Sequence, residues 1–180
     1  MSVIDQAVTW TKVEERLETE RDPVLRRNLE TVLAHMRAEA EGDLDGLLAT
    51  LSDDVAYHAY SAPDIPEVNP VGKAGVRKFY ADFIASGATK LQLDIDRLVV
   101  DRSCVVTEGT MRMAYPGRTL QARGIDVDDP DALYLYETRM AVLWPMDGNG
   151  LVRGEDTYTS GDGFAGIAAR KLRPGDIAGA

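Results

Sequence analysis

Residues 41–57 read Glu41-Gly42-Asp43-Leu44-Asp45-Gly46-Leu47-Leu48-Ala49-Thr50-Leu51-Ser52-Asp53-Asp54-Val55-Ala56-Tyr57, and their punctuation decides the fold. Gly42 interrupts a helical pattern, since glycine enters the left-handed conformation that ends helices. Leu44, Leu47, Leu48 and Leu51 recur at helical spacing and predict a short helix over residues 43–51. Asp53 and Asp54 precede a run from Val55 to Tyr60 that reads as a strand. Helix, tight break, short helix and strand open an α+β domain whose helices pack on a sheet.

The surrounding sequence extends this pattern in both directions. Asp22-Pro23 starts the preceding helix, as an acidic cap followed by proline in the first turn. Leu29, Val32, Leu33 and Met36 form its apolar stripe. An earlier helix is expected from Val3 to Glu20, with Ile4, Ala7, Val8 and Thr11 on one face. On the other side, Ser61 to Gly72 carries three prolines and reads as a loop at a pocket rim. Val76, Phe79, Tyr80 and Phe83 mark a helix over residues 73–86. The period then changes: Leu91, Leu93 and Ile95 alternate with polar residues, as in a half-buried strand. Further strands are expected over 103–114, 133–144 and 151–159, the last two joined by a turn at Met146-Asp147-Gly148-Asn149-Gly150. Thr119 to Gln121 is expected to continue a hairpin, and Gly124 to Asp131, with four aspartates, to form an exposed insertion. The tail after Gly161 is expected to be loose or to hold a short helix. The expected organisation is an N-terminal extension over 1–21, one domain over 22–162 and a tail over 163–180.

The 180 residues carry a net charge of −10. A phosphate-binding face needs clustered Lys and Arg, so the balance argues against a nucleic-acid partner and an anionic membrane surface. Cys104 is the one cysteine, which excludes an internal disulfide and suits a reducing compartment. There is no apolar run of membrane-spanning length, and the expected location is cytoplasmic. Two histidines without Cys pairs give no metal-site pattern, and no Gly-x-Gly-x-x-Gly follows a strand, so no cofactor is expected.

The run from Glu41 to Ala49, followed by Asp53-Asp54 and then Val71 to Ala81, resembles the ketosteroid isomerases of the NTF2-like (SnoaL-like) superfamily. That resemblance implies a cone, with helices on a strongly curved, mostly antiparallel sheet around a pocket for a small apolar molecule. Limonene epoxide hydrolases and polyketide cyclases are similar on this fold. The isomerase pattern places a carboxylate base at Ala59, an oxyanion tyrosine at His35 and a protonated acid near Val142, so this chain departs from it at all three positions. The epoxide hydrolase pattern meets Tyr57 as its tyrosine and Ala59, Gly109 and Met111 where its other polar residues stand, with Asp156 matching after a one-residue shift.

Strand alternation supplies candidate pocket residues. With the resemblance setting the inward side, Gly109, Met111 and Met113 share a face, and Gly109 leaves room for a ligand. Tyr136, Met140 and Trp144 share the next, and Asp156 and Tyr158 the last. Asp156 among methionines is the candidate general acid or base, because desolvation raises a carboxyl pKa. His35 and Tyr57 are candidate holders of a developing oxyanion, and a slip of one residue would make His58 and Tyr60 the pocket pair. Two readings stay open: a cofactor-free enzyme of isomerase, lyase, cyclase or hydrolase type, or a non-catalytic domain binding an apolar ligand or a protein. A homodimer through the outer sheet face, which carries Glu108, Arg112, Glu137 and Arg139, is expected from the resemblance.

Overall fold

A computed structural model describes residues 2–63 and 65–178. Its long helix, α2 (Pro23–Glu41), begins where the Asp22 carboxylate accepts hydrogen bonds from the amides of Val24 and Leu25. Pro23 occupies the first turn, where an amide needs no partner. Gly42 closes the helix at φ 71°, and its amide donates to the carbonyls of Ala38 and Glu39. The helix α1 (Val8–Thr19) precedes α2, and α3 (Leu44–Ala49) follows it. Their buried residues Val13, Leu17, Leu29, Val32, Met36 and Leu47 form one core with the sheet. The N-terminal segment therefore packs as part of the domain.

Five strands make the sheet: β1 (Leu51–Ala59), β2 (Leu91–Val100), β3 (Cys104–Pro116), β4 (Leu133–Pro145) and β5 (Val152–Ser160). Their order is β1-β5-β4-β3-β2, antiparallel except for the parallel pair β1 and β5. The helix α4 (Gly72–Ala85) links β1 to β2 and buries Val76 and Tyr80 against the concave side. The convex side carries ion pairs within the chain: Arg139 reaches Asp96 and Glu108, and Arg112 reaches Glu137 and Asp94.

The structure corrects the sequence reading at several elements. The strand expected from Val55 starts at Leu51: Leu51 and Ser52 are buried, and Asp53 and Asp54 follow as exposed residues of β1. Residues 117–122 form a helical turn, α5 (Gly117–Ala122), so Thr119 to Gln121 do not continue a hairpin as expected. Leu120 is buried there against Tyr115 and Tyr134. The aspartate-rich insertion is anchored: Val127 is buried, the Tyr134 hydroxyl donates to Asp128, and Lys171 pairs with Asp128 and Asp129. The tail holds a 3-10 turn over Ile167–Ala169 and then pairs with the N-terminus, Ile4 bridging Ile177.

Gly109 has a structural task, and not the expected one of leaving room for a ligand. It pairs with Ile95 beside an irregularity between Ile95 and Arg97 that brings β2 close. A Cβ at Gly109 would lie 2.0 Å from the Asp94 carbonyl oxygen. Because this neighbour is backbone, it cannot rotate away. Gly109→Ala is expected to lower stability by about 2 kcal/mol or more, read from urea denaturation midpoints. A pocket position would instead tolerate alanine.

Candidate active site

The concave side of the sheet, α2 and α4 enclose a cavity of about 420 Å³. Its wall is mostly apolar, from Met111 and Met113 on β3, Met140 and Trp144 on β4, and Phe79 and Phe83 on α4. Glu39 from α2 and Glu155 from β5 also line it. Such a wall gives an apolar ligand its binding energy and leaves the few polar groups to orient it.

Glu155 belongs to a chain of buried polar groups. The Tyr80 hydroxyl lies 3.3 Å from Glu155 Oε2 and 3.2 Å from His35 Nε2. His35 Nδ1 lies 2.8 Å from Thr50 Oγ1, and the Thr50 hydroxyl donates to the Leu47 carbonyl at 2.6 Å. The His35 ring is fully buried and packs edge-on against Trp144 and Tyr80. Tyr57, 4% exposed, projects into the cavity; its hydroxyl makes no hydrogen bond of ordinary geometry but lies near enough to Tyr80 and Glu155 to interact with both.

Desolvation dominates the electrostatics. Burial pushes Glu39 up to about 8, and the nearby Glu155 charge adds to the effect. Burial likewise pushes Glu155 up to about 7, while the Tyr80 and Tyr57 hydroxyls favour its ionised form. Both carboxyls line the cavity and are half-buried there. Burial alone holds His35 down to about 3, so it is neutral. Tyr57 and Tyr80 sit well above the ordinary tyrosine value, through burial and then the glutamate charges, and stay protonated. The arrangement holds carboxyls that exchange protons near neutrality beside neutral donors. Among the described residues no three His, Cys, Asp or Glu side chains gather as metal ligands.

The expected site residues separate into several groups. Tyr57, Met111, Met113, Met140 and Trp144 line the cavity. His35 stands behind the wall and reaches it through Tyr80. Asp156, the expected acid or base, is not among the cavity residues: it accepts from His58 Nδ1 at 2.8 Å on the outer side. The His58 side chain is 49% exposed and touches only the cavity rim. Tyr60 and Tyr158 stack on each other at 4.8 Å, both exposed. Tyr136 packs against Tyr115 and Phe164 in a separate cluster.

A shift of one residue explains the exchange of Asp156 for Glu155. Met146 bridges Val152, yet Leu143, three residues before Met146, pairs with Asp156, four residues after Val152. The extra residue in β5 turns every later side chain to the other face. The parallel register then sets Tyr57 level with Glu155, and His58 level with Asp156. Glu39 and Tyr80 were also missed as polar site residues. Glu39 stands three residues after Met36 and four after His35, so helical spacing alone puts it on the buried stripe.

These features define a class: an α+β cone of NTF2-like architecture whose single sheet closes on a small-molecule cavity. The SnoaL-like domain family matches residues 32–129, just over half of the chain, and the protein belongs to it. No curated protein matches the chain in sequence. Among solved structures, a candidate SnoaL-like polyketide cyclase from Shewanella putrefaciens CN-32 superposes with a TM-score of 0.68 at 14% identity, over 87% of this chain and 93% of that one. A candidate SnoaL-like polyketide cyclase from Jannaschia sp. CCS1 gives 0.62 at 20% identity, over 84% and 98%. TerC, crystallised with polyporic acid, gives 0.59 at 17% identity, over 79% and 98%. At these identities the likeness is one of fold.

The raised carboxyls have a stability consequence. Their folded pKa values lie above the ordinary 4.5, so the folded state binds more protons than the unfolded one. Their contribution is fully favourable below about 4.5 and declines as pH rises through about 7 and about 8. Glu39→Gln is expected to match the wild type in acid and to exceed it increasingly towards about pH 8. Urea midpoints across that range check this, and a pH-independent difference would show that Glu39 is well solvated.

Proposed function

We propose that the protein is a cofactor-free enzyme of cyclase type, acting on a small, mostly apolar carbonyl compound held in the cone. Glu155 is the proton carrier, in the role that the sequence suggested for Asp156. The observation that carries this reading is the pair Glu39 and Glu155, desolvated against one apolar cavity and exchanging protons near neutrality. Tyr57 supports it, because a buried hydroxyl with no well-formed hydrogen bond is ready to meet a ligand oxygen.

The chemistry follows from these positions. The Glu155 carboxylate removes a proton from the carbon next to a substrate carbonyl, and the C–H electron pair moves to form an enolate. The Tyr57 hydroxyl and protonated Glu39 donate to the enolate oxygen. The enolate carbon then bonds to a second carbonyl carbon of the same molecule, and the alkoxide formed takes the proton back from Glu155. Atoms and charge balance without any redox partner. Met111, Met113 and Met140 give a polarisable, adaptable wall that suits a planar apolar skeleton. Among the described residues, no helix is long and apolar enough to cross a membrane.

Proton abstraction is measurable without the natural substrate. 2-Tetralone has acidic hydrogens beside its carbonyl and the size of a bicyclic apolar ligand. Wild-type protein in deuterated buffer is expected to speed its hydrogen exchange, followed by NMR. Glu155→Gln is expected to lower the enzymatic rate by about 100-fold or more, the usual contribution of a positioned base. Asp156→Asn is expected to leave it within about 2-fold, because that group pairs with His58 outside the cavity. Binding by thermal shift without faster exchange would assign the cavity to ligand binding alone.

A further inference from the structure

The hydrogen bonds behind Glu155 have a fixed direction. The Thr50 hydroxyl has one proton and gives it to the Leu47 carbonyl. Its oxygen can therefore only accept from His35, which places the imidazole proton on Nδ1 and a lone pair on Nε2. That lone pair and Glu155 Oε2 lie on either side of the Tyr80 hydroxyl, at 3.2 and 3.3 Å. Tyr80 also has one proton, so it can satisfy one neighbour at a time. When Glu155 is ionised, Tyr80 donates to it. When Glu155 is protonated, the carboxyl O–H donates to the Tyr80 oxygen, and the Tyr80 proton needs another acceptor.

We propose that His35 is a positioning residue for Glu155, acting through Tyr80: its Nε2 lone pair takes the Tyr80 hydrogen bond whenever Glu155 is protonated and releases it whenever Glu155 ionises. This rests on the reading of Glu155 as the proton carrier, and it gives that carboxyl a satisfied partner in both states. Tyr80 is the moving part, and only its O–H bond turns. Trp144 and Thr50 hold the imidazole in place through an edge-on contact and a hydrogen bond. Other charged or titratable groups near Glu155 are Glu39 from α2, Tyr57 from β1 and the next residue, Asp156, which faces outward to His58 and acts on Glu155 only through its charge. From β4, Val142 and Trp144 line the same cavity and bring no ionisable group.

The imidazole nitrogens report this directly. The chain has two histidines, so 15N NMR of labelled protein, with His58→Gln for assignment, isolates His35. The expected spectrum is a neutral ring with its proton on Nδ1. Its Nε2 signal shifts once as pH rises, with the midpoint of the Glu155 carboxyl carbon signal. That shift is expected to vanish in Tyr80→Phe and in Glu155→Gln. A proton on Nε2, a flat Nε2 signal, or a shift that persists in Glu155→Gln and so follows Glu39 would each overturn the proposal. A second readout is the pH–rate profile of 2-tetralone exchange. His35→Phe removes the alternative acceptor, so its Glu155 limb is expected at lower pH. Tyr80→Phe removes the donor to the carboxylate, so its limb is expected at higher pH. Mere loosening of the core would admit water and move both limbs downward, which counts against His35. Nitrogen shifts that follow Glu155 without tetralone exchange would keep the coupling and refute the catalytic reading.

Discussion

The parallel pairing of β1 with β5 is the constraint on which the site depends. It joins residues 98 apart in the chain and completes the sheet at the edge where α4 returns. Parallel neighbours at one level point to one side, so Tyr57 and Glu155 face the cavity together while His58 and Asp156 face out together. The crowding is severe: a Cβ at Gly154 would lie 2.7 Å from the Ala56 carbonyl oxygen. Glycine at that position lets the two backbones meet, and the irregular register beside it sets which acid enters the cone.

An apolar cavity that holds two carboxyls stores unfavourable desolvation, and the surrounding fold must offset it. The offset comes from the core of Leu29, Val32, Leu51, Val55, Val105 and Val152, all fully buried, and from α1 covering β2. The same desolvation brings the carboxyls into the range where they exchange protons near neutrality. Stability is thus lowered locally where reactivity is raised, as is common at sites built for chemistry. The His35 network follows the same logic, since a neutral imidazole, two hydroxyls and a backbone carbonyl satisfy one another without adding charge.

Much of the architecture was legible locally. Asp22-Pro23 and Gly42 mark both ends of α2 within a residue, because caps act through their own backbone and side chain. The alternation Leu91, Leu93, Ile95 gives the buried face of β2 directly. Met111, Met113, Met140 and Trp144 line the cavity, since β3 and β4 run in uninterrupted register from Cys104 to Pro116 and strand alternation carries through. Tyr136 was misplaced because β4 extends past the cavity, where Phe164 from the tail covers it. Thr119 to Gln121 reads as a strand but lies in a six-residue helix, which is held by the burial of Leu120 and not by its own periodicity.

The sequence by itself determined the types of the long elements, the ends of α2, the apolar faces and hence the family of folds. These depend on interactions between residues a few positions apart. Only the tertiary structure decided that Glu155 enters the cavity in place of Asp156. That choice depends on one extra residue in β5 and on which strand lies beside it, and neither has a local signature. Only the tertiary structure, likewise, set His35, Tyr80 and Glu155 within hydrogen-bond reach. They come from α2, α4 and β5, and packing of those elements alone sets the distances between them.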